Sequence, residues 1–154
     1  MSNIRAIASA LAALTVSYTA EAGGTVTPTA YDVQQLPPNI AAANLPVRLI
    51  GTQRGDSSAS FNAITAGTGS TRVDHSISEL ALIELVGLSR MQDEWCDTMR
   101  YMDALTVPLQ AARSIYTKCE ITGASASRSV FEYPNGSGEY FYGCQTIVSI
   151  TEYQ

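Results

Sequence analysis

The sequence predicts a single α+β domain: a four-stranded, mostly antiparallel sheet with helices packed on one face. Three observations lead there. Apolar residues recur at helical spacing near the N-terminus and again from Met91 to Leu105. Four other segments are rich in apolar, aromatic and β-branched residues. These segments do not alternate as a βαβ repeat, and no internal repeat is present.

Ile4, Ile7, Leu11 and Leu14 mark one face of a first helix over residues 3–20, which Ser2 or Asn3 can cap and Gly23-Gly24 end. Arg5 before the apolar run Ala6 to Val16, with Ala20-Glu21-Ala22 behind it, also has the outline of a secretory signal. The run is mostly alanine, and its spacing favours an amphipathic helix. Residues 23–44 carry Pro28, Pro37 and Pro38 and read as a long connection with a short strand near Tyr31 to Val33. Leu45 to Gln53 is the first main strand, with Pro46 where no ladder donor is needed. Residues 55–71 are a Gly, Ser and Thr stretch expected to be a flexible loop, with Phe61 its one aromatic.

The second strand runs from Arg72 to about Leu88, alternating at Val73, His75 and Ile77 and then continuously apolar. A helix follows, with Leu88, Met91, Trp95, Met99, Met102 and Leu105 near one stripe. Pro108 is expected to kink or restart it, with Thr106 as the new cap and a second segment reaching Cys119. Arg128–Tyr133 and Tyr140–Tyr153 flank Pro134-Asn135-Gly136-Ser137-Gly138, a strong turn signal, and form a C-terminal hairpin over 128–153.

The 154 residues are 15% charged with a net charge of −5, against roughly 25% charged in an average globular chain. An uncharged surface of Ser, Thr, Ala and Tyr suits contact with other protein. Lys118 is the only lysine and the arginines stand singly, so there is no cluster to displace counterions from nucleic acid or to bind an anionic membrane. No run has the ~20 apolar residues of a membrane span. Cys96, Cys119 and Cys144 fit neither a disulfide framework nor a zinc pattern and read as reduced, largely buried thiols.

Catalytic parts are scarce. His75 is the only histidine, and with no third group to orient it, it reads as a polar surface residue. Asp93, Glu94 and Asp97 fall in the first turns of a helix, where acids favour the dipole. Asp56 with Ser57 and Ser58 is too little for a metal. Gly67-Thr68-Gly69-Ser70 lacks the lysine and helix of a phosphate loop. The reading is therefore a non-enzymatic protein without cofactor or metal. Its candidate protein-interface residues are Phe61 and the hairpin aromatics Tyr133, Tyr140 and Tyr142, since an alternating strand must turn some aromatics outward.

The layout resembles the tail terminator, or tail completion, proteins of long-tailed bacteriophages. The parts that carry the likeness are Ile4 to Tyr18, Leu45-Pro46-Val47-Arg48-Leu49-Ile50-Gly51, the 55–71 loop, Ser76 to Leu88, Met91 to Cys119 and Arg128 to Tyr153. The ending Val148-Ser149-Ile150-Thr151-Glu152-Tyr153 is similar to the family's last strand. The 55–71 loop is richer in Gly and Ser than the family pattern, and residues 23–44 are longer. The resemblance implies a virion protein assembled in the host cytoplasm. It would form a ring with itself, usually of six subunits, on the tail-tube protein, and stop tube polymerisation. Its other face would meet the head–tail connector or neck protein, and DNA would pass through the bore without specific binding. The alternatives are another neck, head–tail joining or tail-tube protein and, from another class, a secreted or periplasmic binding module.

Overall fold

A computed structural model describes residues 4–32, 34–51, 64–66, 70–87 and 91–153, without the side chains of 64–66, 70–71 and 91–94. Helix α1 spans Ile4–Ala13, ending well before the expected residue 20, and buries Ile7, Ala8 and Leu11, the face its spacing marks. Strands β1 (Tyr18–Thr19) and β2 (Thr25–Val26) make a small antiparallel pair. The turn between them uses Gly23 and Gly24, both at φ 91°, a conformation that costs any residue with a Cβ.

The main sheet has more strands than the four expected. Six follow one another in the order β3 (Thr29–Tyr31), β4 (Val47–Ile50), β6 (Ser70–Leu85), β9 (Tyr140–Tyr153), β8 (Cys119–Glu132) and β7 (Ser114–Tyr116). A further strand, β5 (Ile64–Ala66), pairs with the start of β6. The sheet is mixed, because β3 runs parallel to β4 while the other neighbours are antiparallel. It curls into a half-barrel. The four expected strands are its middle, β4, β6, β9 and β8. The added ones, β3, β5 and β7, have three residues each; β3 overlaps the short strand expected near Tyr31 to Val33, while β5 and β7 are too short for alternation to register. β5 lies inside the expected loop and β7 inside the expected second helical segment. β8 also begins nine positions before Arg128, through a Gly, Ala and Ser run of low strand propensity. Its pairing with β9, from Cys119↔Glu152 to Glu132↔Tyr140, holds that run extended. Register shifts at Leu82/Glu84 and Ile121/Gly123 bend the long strands and add to the curl.

Helix α2 runs unbroken over Met91–Ala111 with Pro108 inside it. Only one ladder donor is lost there, and the ladder resumes with Ala112 N donating to Pro108 O at 2.9 Å. Thr106 does not cap a new helix; its hydroxyl donates to Asp103 O at 2.7 Å. The buried face is Thr98, Tyr101, Leu105 and Leu109 rather than the methionine stripe, and Met99 is 50% exposed.

Both helices pack into one core cluster, where Ile7, Leu11, Tyr101 and Leu105 meet Ile77 and Val148 of the sheet. Leu80 and Leu82, alternating with that face, join Val47, Leu49, Phe131 and Phe141 in a second cluster. Leu36, Ile40 and Leu45 of the long connection cover it. Cys119 and Cys144 are buried and Cys96 half-buried, all as free thiols.

Candidate assembly surface

β9 is largely buried, yet β8, its neighbour, is exposed at every residue from Thr122 to Val130. An ordinary surface strand shows one face; this one shows both. Its outer edge is open as well. β7 pairs only with Cys119 and Glu120, and Ile121 N donates to Arg113 O at 2.9 Å, which ends the cover. Beyond that point no described strand lies outside β8. The strand stands because thirteen of its residues are in register with β9.

A half-apolar patch adjoins this edge on the helix-bearing face. The Arg128 guanidinium lies over the Trp95 ring at 5.3 Å, and its Nη1 donates to Met99 Sδ at 3.1 Å. Trp95 meets Tyr142 edge-on, with ring centroids 5.5 Å apart. Strand alternation puts Val130 and Tyr140 on the same face as Arg128 and Tyr142. Met99, Val130 and Tyr140 are exposed.

The four candidate interface residues therefore separate. Tyr140 faces solvent. Tyr142 is buried and serves the contact with Trp95. Tyr133 is half-buried, and its hydroxyl donates to Pro37 O at 2.5 Å, tying the hairpin to the long connection. Burial holds that phenol above its ordinary pKa. Phe61, with Asp56, Ser57 and Ser58, lies outside the described residues. In the turn, Gly136 and Gly138 have φ of 81° and 76°, and Gly138 N donates to Glu132 Oε1 at 2.8 Å.

Two buried polar groups were not legible as such. Arg48, 1% exposed, donates from Nε and Nη2 to Glu79 at 3.0 and 2.8 Å. The Tyr101 hydroxyl donates to the same carboxylate. Arg48 also donates to Leu11 O in the last turn of α1 and to Leu14 O just past its end. Burial alone would depress the guanidinium pKa, but the hydrogen bond and charge of Glu79 outweigh it and raise it. Tyr101 is raised well above the usual phenol value, first by burial and then by Glu79. The group joins α1, α2 and the sheet.

His75 is 3% exposed rather than a surface residue, and its Nε2 lies 2.7 Å from Glu152 Oε2. The alternation that buries Val73 and Ile77 carries His75 to the core side with them. Cys119 is close enough that the Glu152 charge, after burial, raises its thiol pKa. A thiol held protonated and wholly buried is no nucleophile.

Elsewhere, Asp97 Oδ1 accepts from Glu21 N at 2.7 Å, a structural role. Asp74 is held below the usual carboxylate range by the Thr151 hydroxyl and then by Arg72. A cleft of about 490 Å³ lies between the end of α2 and the start of β8, lined by Leu109, Gln110, Arg113, Thr122 and Ala124. A smaller hollow of about 290 Å³ is lined by Arg72, Asp74, His75, Ser76, Thr122 and Ser149. No group of three or more His, Cys, Asp and Glu able to hold a metal occurs among the described residues. No helix among them is long and apolar enough to cross a membrane.

No protein-family model matches the chain, and no curated protein or solved structure is significantly similar to it.

Proposed function

We propose that the chain is a structural subunit of a phage virion, a tail terminator. In this reading copies of it close into a ring, of six subunits, on the end of the tail tube. The ring stops the tube from growing and offers its other face to the head–tail connector. The observation that carries the reading is the Thr122–Val130 stretch, exposed at every residue and open along its edge. Soluble monomers blunt long edges with lysine, proline or a covering element. This stretch has no lysine or proline, its one charge, Arg128, is drawn onto Trp95, and no strand covers its edge among the described residues, as suits a protein whose surface is completed by assembly.

The element order supports the same reading. α1, the Pro46-led β4, the long β6, α2 and the β8–β9 hairpin follow in the order on which the resemblance rests. A net charge of −5 and scattered arginines suit a bore that passes DNA without holding it. A ring follows when one patch docks on a different patch of the next copy and the rotation closes.

The test is imaging and composition analysis of particles that carry the chain. The expected result is a ring of the protein at the head-proximal end of the tail tube. A protein that stays free in solution and is absent from particles overturns the proposal. In the same proposal Phe61 contacts a tail-tube subunit or a neighbouring ring subunit, so Phe61→Ser is expected to leave the subunit folded and weaken its docking. Burial of one Phe is worth roughly 1.5–3 kcal/mol per subunit.

A further inference from the structure

We propose that two copies of the free chain pair through the outer edges of β8, running antiparallel about a two-fold axis at Ala126. This does not rest on the tail reading; it concerns the subunit before any larger assembly.

Backbone N–H and C=O groups along an open edge are satisfied by water or by another extended backbone, and a second strand fits them along their whole length. The occupant follows from length. The uncovered stretch has nine residues, Thr122 to Val130. Its neighbour β7, and β3 at the sheet's far end, have three residues each, and β1 and β2 two. On β6 the edge between β5 and β4 is open only over Val73–Ile77, so among the described residues β8 of a second copy presents the edge that matches in length.

Its sequence also tolerates self-pairing. With Ala126 opposite the second copy's Ala126, Ser125 faces Ser127 and Gly123 faces Ser129. Thr122 faces Val130, a β-branched pair, and Ala124 faces Arg128. No charge meets its like, because Arg128 is two positions from the axis. β7 and the Arg113 carbonyl stop the pairing before Ile121. The small side chains let the second backbone approach without a clash on either face.

The area sets the strength. Nine residues make a seam about 30 Å long, and with a sheet about 10 Å thick this covers roughly 300 Å² on each copy. The total of roughly 600 Å² is about half of the ~1,200 Å² at the lower end of stable interfaces. The dimer is therefore weak and reversible, held mainly by backbone hydrogen bonds, and it can open when a better partner is offered.

Sedimentation velocity of the full chain, from micromolar to millimolar, reads it. The expected result is a monomer–dimer equilibrium that shifts with concentration. Ala126→Lys sets two ammonium groups opposite each other at an exposed position, so the fold stays and dimerisation weakens at least about tenfold. Ala126→Cys, made with Cys96→Ser so that no half-buried thiol competes, is expected to form an intermolecular disulfide on mild oxidation. Glu139→Cys at the hairpin turn, in the same background, is not. A chain monomeric at every concentration, a dimer indifferent to Ala126→Lys, or cross-linking no better at position 126 than at 139 each overturns the proposal. None of these outcomes depends on whether the chain is found on a phage tail.

Discussion

Replacing Glu79 by Gln removes one charge from a site where Arg48 and Glu79 are 1% and 3% exposed. The wild-type carboxylate accepts from Arg48 Nε and Nη2 and from the Tyr101 hydroxyl. An amide offers one oxygen where two accepted, and turns an NH2 toward donors. Arg48 is then a buried cation without a counter-charge. Removing one partner of a buried pair costs about 3–5 kcal/mol. Whole-domain stabilities are about 5–15 kcal/mol, so the variant keeps a fold with little margin. Urea unfolding followed through Trp95, the single tryptophan, measures it. With a slope of about 2 kcal/mol per molar urea, the midpoint falls by roughly 2 M. Replacing both partners, Arg48→Met with Glu79→Met, restores much of the loss, since no uncompensated charge is left. A cost below about 1 kcal/mol for Glu79→Gln, or a double variant no better than the single one, refutes the reasoning.

Gly143→Ala is expected to abolish folding or cost several kcal/mol in thermal unfolding, because a Cβ there would lie 2.0 Å from Ala81 O, a backbone atom in mid-sheet. Alkaline pH is expected to destabilise the fold. Burial, and next the charge of Glu79, push the Cys144 thiol up to about 12 from an ordinary 9.0, so its contribution is intact below about pH 9 and is lost as the pH rises towards about 12. Three units correspond to on the order of 4 kcal/mol, and Cys144→Ala should flatten the decline measured by denaturation at each pH. His75→Ala should lower stability by about 1–3 kcal/mol, because Glu152 loses its Nε2 partner, while any assembly defect follows the folded fraction measured by circular dichroism.

The long elements were legible because their patterns are long. α1 shows its face over three turns, and β6 and β9 offer enough residues for period and composition to agree. β5 and β7 were not, since three residues carry no period and gain strand geometry only from a neighbour, and β3 was legible only as a short strand placed two residues too late. The β8 run Gly123 to Ser129 reads locally as loop, and its pairing partner lies about twenty residues on in sequence. Pro108 argued for a break that the packing of Leu105 and Leu109 overrides. For the polar core, a signal existed. Arg48 stands inside Leu45-Pro46-Val47-Arg48-Leu49-Ile50, and Glu79 borders Leu80 to Ile83. Opposite charges set within two apolar strands point to a buried pair. Nothing local distinguished Tyr142, which is buried, from Tyr140, which is exposed, because both lie on one strand face and differ only in whether Trp95 covers them.

The central claim is that this chain completes its surface by joining copies of itself into a ring on a phage tail. Gold-tagged protein, imaged by electron microscopy on particles assembled with it, tests that claim most directly. The expected result is label at the junction of head and tail, in a closed ring of six subunits, and tubes of uncontrolled length when the chain is withheld. Particles that assemble with normal tails and no label contradict it.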